Sequence, residues 1–581
     1  MLYPTLQEMP SSKQMVDAFR GYNHNLRISD SEFYDMKNMT SDYYPVLSPR
    51  NKRGVYVSAA NPRGLLAKDR LCFVDGSAIV IGDDWVEMGL TDDEKQLISM
   101  GAYIIILPDK KYINTLDLND RGNIEAIYES TAAVRFELCT VSGEVYENAT
   151  ISDTAPEDPE NMALWIDTSS KPHTLKKWYS SSSMWTAIAT TYIRISSPGI
   201  GTRFKQYDGV TIEGVASEAL KDLNASMVIW DRGDDYIVVI GLLDEVTTQE
   251  PEEGHVSVKR LMPRMDFVTE SENRLWGCRY GLNDKGEMVN EIYACKQGDF
   301  RNWNCFMNTA TDSYAASVGT DGAFTGAIAH LGYPLFFKEN YAHKIFGNYP
   351  ANYQIQTTAC RGVQKGSHKS LAIVNEMLFY KSRTSVCAFD GSLPVEASYS
   401  LGNESYSDAV AGANGNKYYI CMQDVYGVWH LFVYDTAKNM WHKEDNFHAS
   451  GFCSWMGELY AIDADTKKIR TMLKAVDEPE EKVKWMVETG EIGITSSDMK
   501  YISRLTVRMS LDVGTEVRIF AKYDFSDQWE PLYARRSTSL RSFFVPLRPK
   551  RCDYMKLRIE GDGGGKIYTI TKTIEQGSDV S

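Results

Sequence analysis

Four aspartates, Asp83, Asp84, Asp321 and Asp390, are the residues of this 581-residue chain whose type and setting first invite a chemical reading. Two carboxylates at a defined separation are what hydrolysis of a glycosidic bond requires, one to protonate the leaving oxygen and one to serve as base or nucleophile. Each of these four sits beside a glycine or in a turn, where an Asp side chain commonly bonds to local backbone. The turn reading is preferred.

Other constellations are weaker. Glu560-Gly-Asp-Gly-Gly-Gly-Lys566 ends in Lys, but Ile567 follows it and the leading Gly of a phosphate loop is missing, so it reads as a glycine-rich hairpin. Asp117-Leu-Asn-Asp-Arg-Gly122 resembles a calcium loop with Arg121 where the third oxygen ligand belongs. There is no HExxH, and the nine histidines lack ligand spacing. The ten cysteines form no CxxC pair, which favours free, mostly buried thiols over a zinc site or a disulfide framework. No cofactor, no metal and no catalytic residue is expected, and the chain is not expected to be an enzyme. Basic residues gather in two places instead: Arg50, Lys52 and Arg53, and later Arg535, Arg536, Arg541, Arg548, Lys550 and Arg551. Both groups are read as candidate subunit or DNA contacts, beside the plainer reading of the second as a solvated outer face.

The elements that must carry these residues are short strands. Phe336, Phe379, Tyr419 and Tyr460 each follow a turn inside an apolar strand, at intervals of roughly 40 residues, the period of four-stranded β-propeller blades. Asp75-Gly76 between two apolar runs is a strong hairpin signal. The expected fold is all-β: a β-propeller of about seven blades, with an inserted β-rich domain and a C-terminal β-sandwich. Residues 1–53 form an extended arm, 54–121 the first blades, 122–260 the insertion, 261–473 the remaining blades and 486–581 the sandwich. In the insertion, a strand at Trp185 is read together with one at Thr191; among the blades, another is read over Gly298-Asp-Phe-Arg-Asn-Trp303. The alternation in Leu505-Thr-Val-Arg-Met and Met555-Lys-Leu-Arg-Ile fits a sandwich with apolar residues in and charges out. The repeated Ser-x-Asp-x-Gly-x-x-Trp boxes of sialidase-type propellers do not occur.

Bulk composition bounds the function. Hydrophobic residues at 43% and aromatics at 12% exclude disorder as a general description. A net charge of −16 argues against a surface that grips nucleic acid all over, because phosphate binding runs on Lys and Arg. The start shows no cationic flank followed by an apolar core, and no apolar run is long enough to span a membrane, so assembly in a reducing cytoplasm is expected.

The motif Glu32-Phe-Tyr-Asp-Met-Lys-Asn-Met with Pro49-Arg50, the run Ser317-Val-Gly-Thr-Asp-Gly, the stretch Phe336-Phe-Lys-Glu-Asn and His343-Lys-Ile-Phe-Gly together resemble virion structural proteins of tailed bacteriophages. The likeness is to the packaged-DNA stabilisation, or tail hub and nozzle, family, over the arm and propeller. The resemblance implies a homo-oligomeric ring, by analogy a hexamer, below the portal and adaptor. It would form part of the DNA channel and help retain packaged double-stranded DNA, with other tail proteins or fibres as further partners. It implies virion localisation in the tail after assembly in the host cytoplasm, without membrane insertion. An acidic channel wall would let DNA slide, while the basic sandwich could grip an acidic neighbour. The alternative is a carbohydrate-binding or carbohydrate-cleaving propeller of a phage tail, used in receptor recognition.

Overall fold

The structure, a computed structural model, describes residues 11–171, 173–242, 247–494, 499–524, 526–548 and 550–576, leaving aside the side chains of 537–541, 543 and 576. The fold is all-β, with a β-propeller architecture built from seven four-stranded antiparallel sheets of blade type. Blades A to F cover 62–87, 96–123, 267–317, 324–359, 372–396 and 406–443. Blade G takes three strands from 449–471 and its fourth from the other end of the chain: Gly54–Ser58 pairs antiparallel with Lys468–Thr471. No helix among the described residues is long and apolar enough to cross a membrane.

Local chemistry explains the repeat. The first hairpin of blades C, D, E and G closes through two residues, Glu272-Asn273, Leu331-Gly332, Asn375-Glu376 and Met456-Gly457, all with positive φ. Two successive left-handed residues make the turn whose twist matches that of paired strands. The second strand that follows is apolar on both faces because blades stack on either side, as in Met377–Lys381 and Glu458–Asp463.

The chain divides into two compact units. One comprises 1–95, 337–342 and 358–581 and holds blades A, E, F and G with the C-terminal sheet. Within it, Tyr419, Leu431 and Val433 of blade F pack with Leu459 and Ala461 of blade G, and Tyr460 and Ile462 of G with Leu71 and Phe73 of A. The other comprises 96–336 and 343–357, with blades B, C, most of D and the insertion. There Ile98 and Ile105 of blade B meet Val268 and Leu275 of C, while Trp276 and Ile292 of C meet Phe324 and Phe336 of D.

The C-terminal sandwich is one continuous eight-stranded sheet whose long strand, Lys500–Tyr523, switches partners halfway. Residues 500–511 pair with Gly565–Gln576 and 516–523 with Met555–Asp562, the register shifting between Leu511 and Glu516. The arm does not stand apart from this sheet. Its strand Ser11–Val16 pairs with Gly565–Gln576, and Phe33–Lys37 with Lys484–Thr489, so the two lie at opposite ends of the strand order. Phe19, Tyr22, Phe33 and Met36 join the core shared by the sandwich and blades E and F, where Trp441 and Trp485 are also buried.

Two expected strands fall differently. Met184–Ala187 pairs with Thr174–Tyr179, whereas Tyr192–Ser196 belongs to another sheet, between Val134–Cys139 and Tyr236–Ile240. Residues 298–303 form turns: Asp299 Oδ1 accepts from the Arg301 backbone N–H at 3.2 Å, and Trp303 Nε1 donates to the Phe300 carbonyl at 2.8 Å. Side chains able to satisfy nearby backbone offer the chain an alternative to a ladder.

Candidate functional site

The first basic group is an internal clasp. Arg53 presents its fork to two consecutive carboxylates: Nη2 lies 2.6 Å from Glu444 and Nη1 2.9 Å from Asp445. Its guanidinium also lies over the Phe447 ring, at 4.9 Å from the centroid. Arg50 Nη1 reaches Glu480 at 2.7 Å, Nη2 reaches Asp445 at 3.2 Å, and Nε donates to Asn38 Oδ1 at 2.8 Å. Bidentate geometry of this kind is what the planar guanidinium supplies and an ammonium does not. Burial by itself would raise the Asp445 and Glu480 carboxyls, but Arg53 and Arg50 outweigh it and hold both below the ordinary carboxylate range. Burial would likewise lower Arg53, and Asp445 and Glu444 hold it firmly protonated.

Arg50 and Arg53 were expected at a subunit or DNA contact, and their placement corrects this. Both are buried, and both are ion-paired to carboxylates of the same chain. Lys52 alone of the three is exposed, its Nζ donating to the Glu481 carbonyl at 2.9 Å. Sequence spacing gives no hint of Glu444 and Asp445, which lie nearly 400 residues away; a carboxylate pair closing a blade beside an otherwise solvated basic run is the only available signal.

The second basic group is divided between the two faces of a strand pair and the segment that follows it. Glu530–Val545 pairs with Lys500–Tyr523 from Leu505 opposite Val545 to Ala521 opposite Glu530 and, among the described residues, with no other strand. Along the long strand Leu505, Val507, Met509, Val517 and Ile519 are buried, while Arg504, Arg508 and Arg518 face outward. Arg536, opposite Glu516, joins them with its Nε 2.9 Å from that carboxylate, whereas Arg535, opposite the buried Val517, lies on the inward face, where its Nη1 donates to the Tyr533 hydroxyl at 3.0 Å. Arg504 stacks over the exposed Phe544 ring at 4.0 Å. Lys550 pairs with Glu530 at 2.5 Å, and Arg548 and Arg551 are exposed. The Arg541 side chain lies outside the described residues. The product is a ribbon, largely apolar inward and basic outward, whose second edge pairs with no other strand among the described residues.

Of the four aspartates, Asp83 is exposed in the third turn of blade A, and Asp84, also exposed, opens the strand Asp84–Glu87 and pairs with Arg70 at 2.6 Å. Asp321 is exposed in the connection to blade D, and Asp390 Oδ1 accepts from the Ser392 backbone N–H at 2.9 Å and its hydroxyl at 2.6 Å. In the loop at 117–122, Arg121 Nη1 donates to the Leu118 carbonyl at 2.5 Å, and Asp120 accepts from the Tyr103 hydroxyl at 2.8 Å. Among the described residues, no group of three or more His, Cys, Asp or Glu is placed to hold a metal ion. The glycine-rich hairpin expected at 560–566 is not formed: among the described residues Met555–Asp562 and Gly565–Gln576 pair with successive halves of Lys500–Tyr523 and not with each other, and Gly563, at φ 116, lies between them.

No family model matches the chain, and no curated protein matches it. Solved structures match it at the level of fold. An exo-β-1,3-galactanase from Phanerochaete chrysosporium shares 7% identity, over 52% of this chain and 94% of that one, with a TM-score of 0.21. PorZ of Porphyromonas gingivalis, a bacterial surface component of the type-IX secretion system, shares 10% over 90% of this chain and 82% of that one, with a TM-score of 0.26. A glycoside hydrolase family 43 arabinoxylan arabinofuranohydrolase from Bacillus subtilis shares 8% over 52% and 94%, with a TM-score of 0.16. Likeness of this degree transfers neither activity nor ligand. It does correct one expectation: glycoside hydrolases stand among the matched structures, so the exclusion of an enzyme is withdrawn.

Proposed function

We propose that the chain is a structural subunit of a tail hub or nozzle ring of a tailed bacteriophage. It would sit below the portal and adaptor, line part of the DNA channel and help retain packaged DNA. The observation that supports this reading is the ribbon of Lys500–Tyr523 and Glu530–Val545: a basic, long-edged strand pair on a chain whose net charge is −16. An unpaired edge of this length is a template for a strand from another chain, and its arginines select an acidic neighbour. In a homo-oligomer the neighbour is a second acidic copy, and head-to-tail contacts of that kind close into rings. A hexamer is the expected order, with tail proteins or fibres and the passing double-stranded DNA as further partners. The mass in solution by light scattering, with negative-stain images of the protein and of particles, tests the reading. Six-fold rings at the tail vertex are expected; a strict monomer that fails to assemble with portal and adaptor overturns it.

A further inference from the structure

In blade E the second strand, Met377–Lys381, leads into the turn 382–385, and the fourth, Val395–Glu396, leads into the crossing to blade F. Strands of a meander alternate in direction, so this turn and this crossing lie at the same end of the sheet. Between them is a pocket of about 350 Å³, its lining including Lys381, Arg383, Glu396, Ser398, Glu404 and Tyr406.

Lys381 is the residue that asks for a ligand. It is only 3% exposed, and its Nζ donates to the Ser382 carbonyl at 2.5 Å. An ammonium has three donors, and no carboxylate among the described residues forms an ion pair with this one. Burial lowers its pKa to about 8, the sign of a charge held without a counter-charge. A buried charge is costly unless something of opposite sign meets it, and a pocket wall is where a ligand can do so.

The rest of the lining narrows the ligand class. Arg383 adds a second cation at the same turn, whereas Glu396, 3.7 Å from Arg361, and Glu404 add negative charge across from them. Two carboxylates disfavour a dianionic phosphate but accept hydrogen bonds from neutral hydroxyls, as do Ser398 and Tyr406. We infer that this pocket binds a sugar acid, its single carboxylate against Lys381 and Arg383 and its hydroxyls on Glu396, Glu404 and Ser398. The inference is independent of the ring reading, which stands or falls on the assembly state.

Isothermal titration of the full chain with D-glucuronate and with D-galacturonate tests it, with D-glucose and inorganic phosphate as comparisons. Saturable binding of at least one uronate, and none of glucose or phosphate, is expected. Lys381→Met, which keeps the length of the side chain and removes the charge, is expected to weaken uronate binding about tenfold or more without lowering the melting temperature. Arg383→Gln, at an exposed position, should weaken it about fivefold in a chain that folds normally, and serves if the first variant does not fold. Absence of uronate binding, equal binding of phosphate, or unchanged affinity in Arg383→Gln would overturn the inference.

Discussion

Arg53 and Glu444 meet at 2.6 Å, with both side chains nearly shut off from water, although they stand 391 positions apart in the chain. Through this pair the segment that enters blade G is fixed to the segment that leaves blade F. Removing Arg53 leaves the buried Glu444 with only Arg50 Nε, at 3.5 Å, and breaking a buried pair in this way costs about 3–5 kcal/mol. Arg53→Ala is therefore expected to lower the unfolding free energy by that much, read as a lower urea midpoint at unchanged m. A loss below about 1 kcal/mol would mean that Arg50 alone holds the clasp.

The same network sets an acid limit. The Asp445 and Glu480 carboxyls are held below their ordinary values by the arginines opposite. A carboxyl depressed in the folded state adds stability above its unfolded pKa of about 4, and that stability is lost as pH falls through the folded value. The urea midpoint should change little between about pH 6 and 8 on account of these groups and then drop below about pH 4.5. In Arg53→Ala the acid drop should be shallower, since that carboxylate stabilisation is already gone. Equal slopes in the two proteins would assign the acid loss elsewhere.

Gly21 tests the arm. It sits at φ +84, and a Cβ there would lie 2.3 Å from the carbonyl oxygen of Trp441, the group to which the Tyr22 N–H donates at 2.7 Å. Gly21→Ala meets both a disfavoured backbone region and a backbone clash, an expected cost of at least about 2 kcal/mol. Hydrogen exchange should locate the loosening in residues 19–24 and the outer strand of blade F. Wild-type protection there in the variant would show that the arm docks without this contact.

What the sequence made legible is what neighbouring residues decide. The strand, turn, strand rhythm could be read because the turn residues lie between the strands they join: Asn375 and Glu376 adopt positive φ between Val374 and Met377. Arm pairing could not be read, because the partner of Ser11–Val16 lies at the far end of the chain and an edge strand needs no particular side chain to hydrogen-bond. The roles of Arg50 and Arg53 were misread for a related reason. A basic run looks solvated until the distant carboxylates that neutralise it are in place. Lys381 carried no local mark at all, since a lysine ending an apolar strand reads as its solvent-facing end.

The ten thiols are all free. Burial pushes Cys139, Cys295, Cys421 and Cys453 up to about 12, and Cys72, Cys305, Cys360 and Cys552 up to about 11. The thiolate is the reactive form, so at pH 8 these eight are almost wholly protonated, and all but Cys360 and Cys453 are buried as well. An aromatic disulfide reagent should consume fewer than about two thiols in the native protein and all ten after denaturation. Fast native labelling of Cys295 or Cys421 would contradict the packing of blades C or F.

The ribbon supplies the sharpest separation of folding from assembly. Arg536 is largely solvent-exposed and pairs with Glu516 in the open, so its contribution to stability is small. The double change Arg518→Glu and Arg536→Glu, both on the outer face, should move stability by no more than about 1 kcal/mol, since surface substitutions away from caps and cores rarely do more. It reverses the sign of the surface offered to an acidic neighbour, and like charges at a contact oppose association. Light scattering should therefore give a folded protein of reduced mass, with rings absent from negative-stain fields and the melting curve close to that of the wild type. Rings that persist in the double variant would remove the ribbon from the subunit contact.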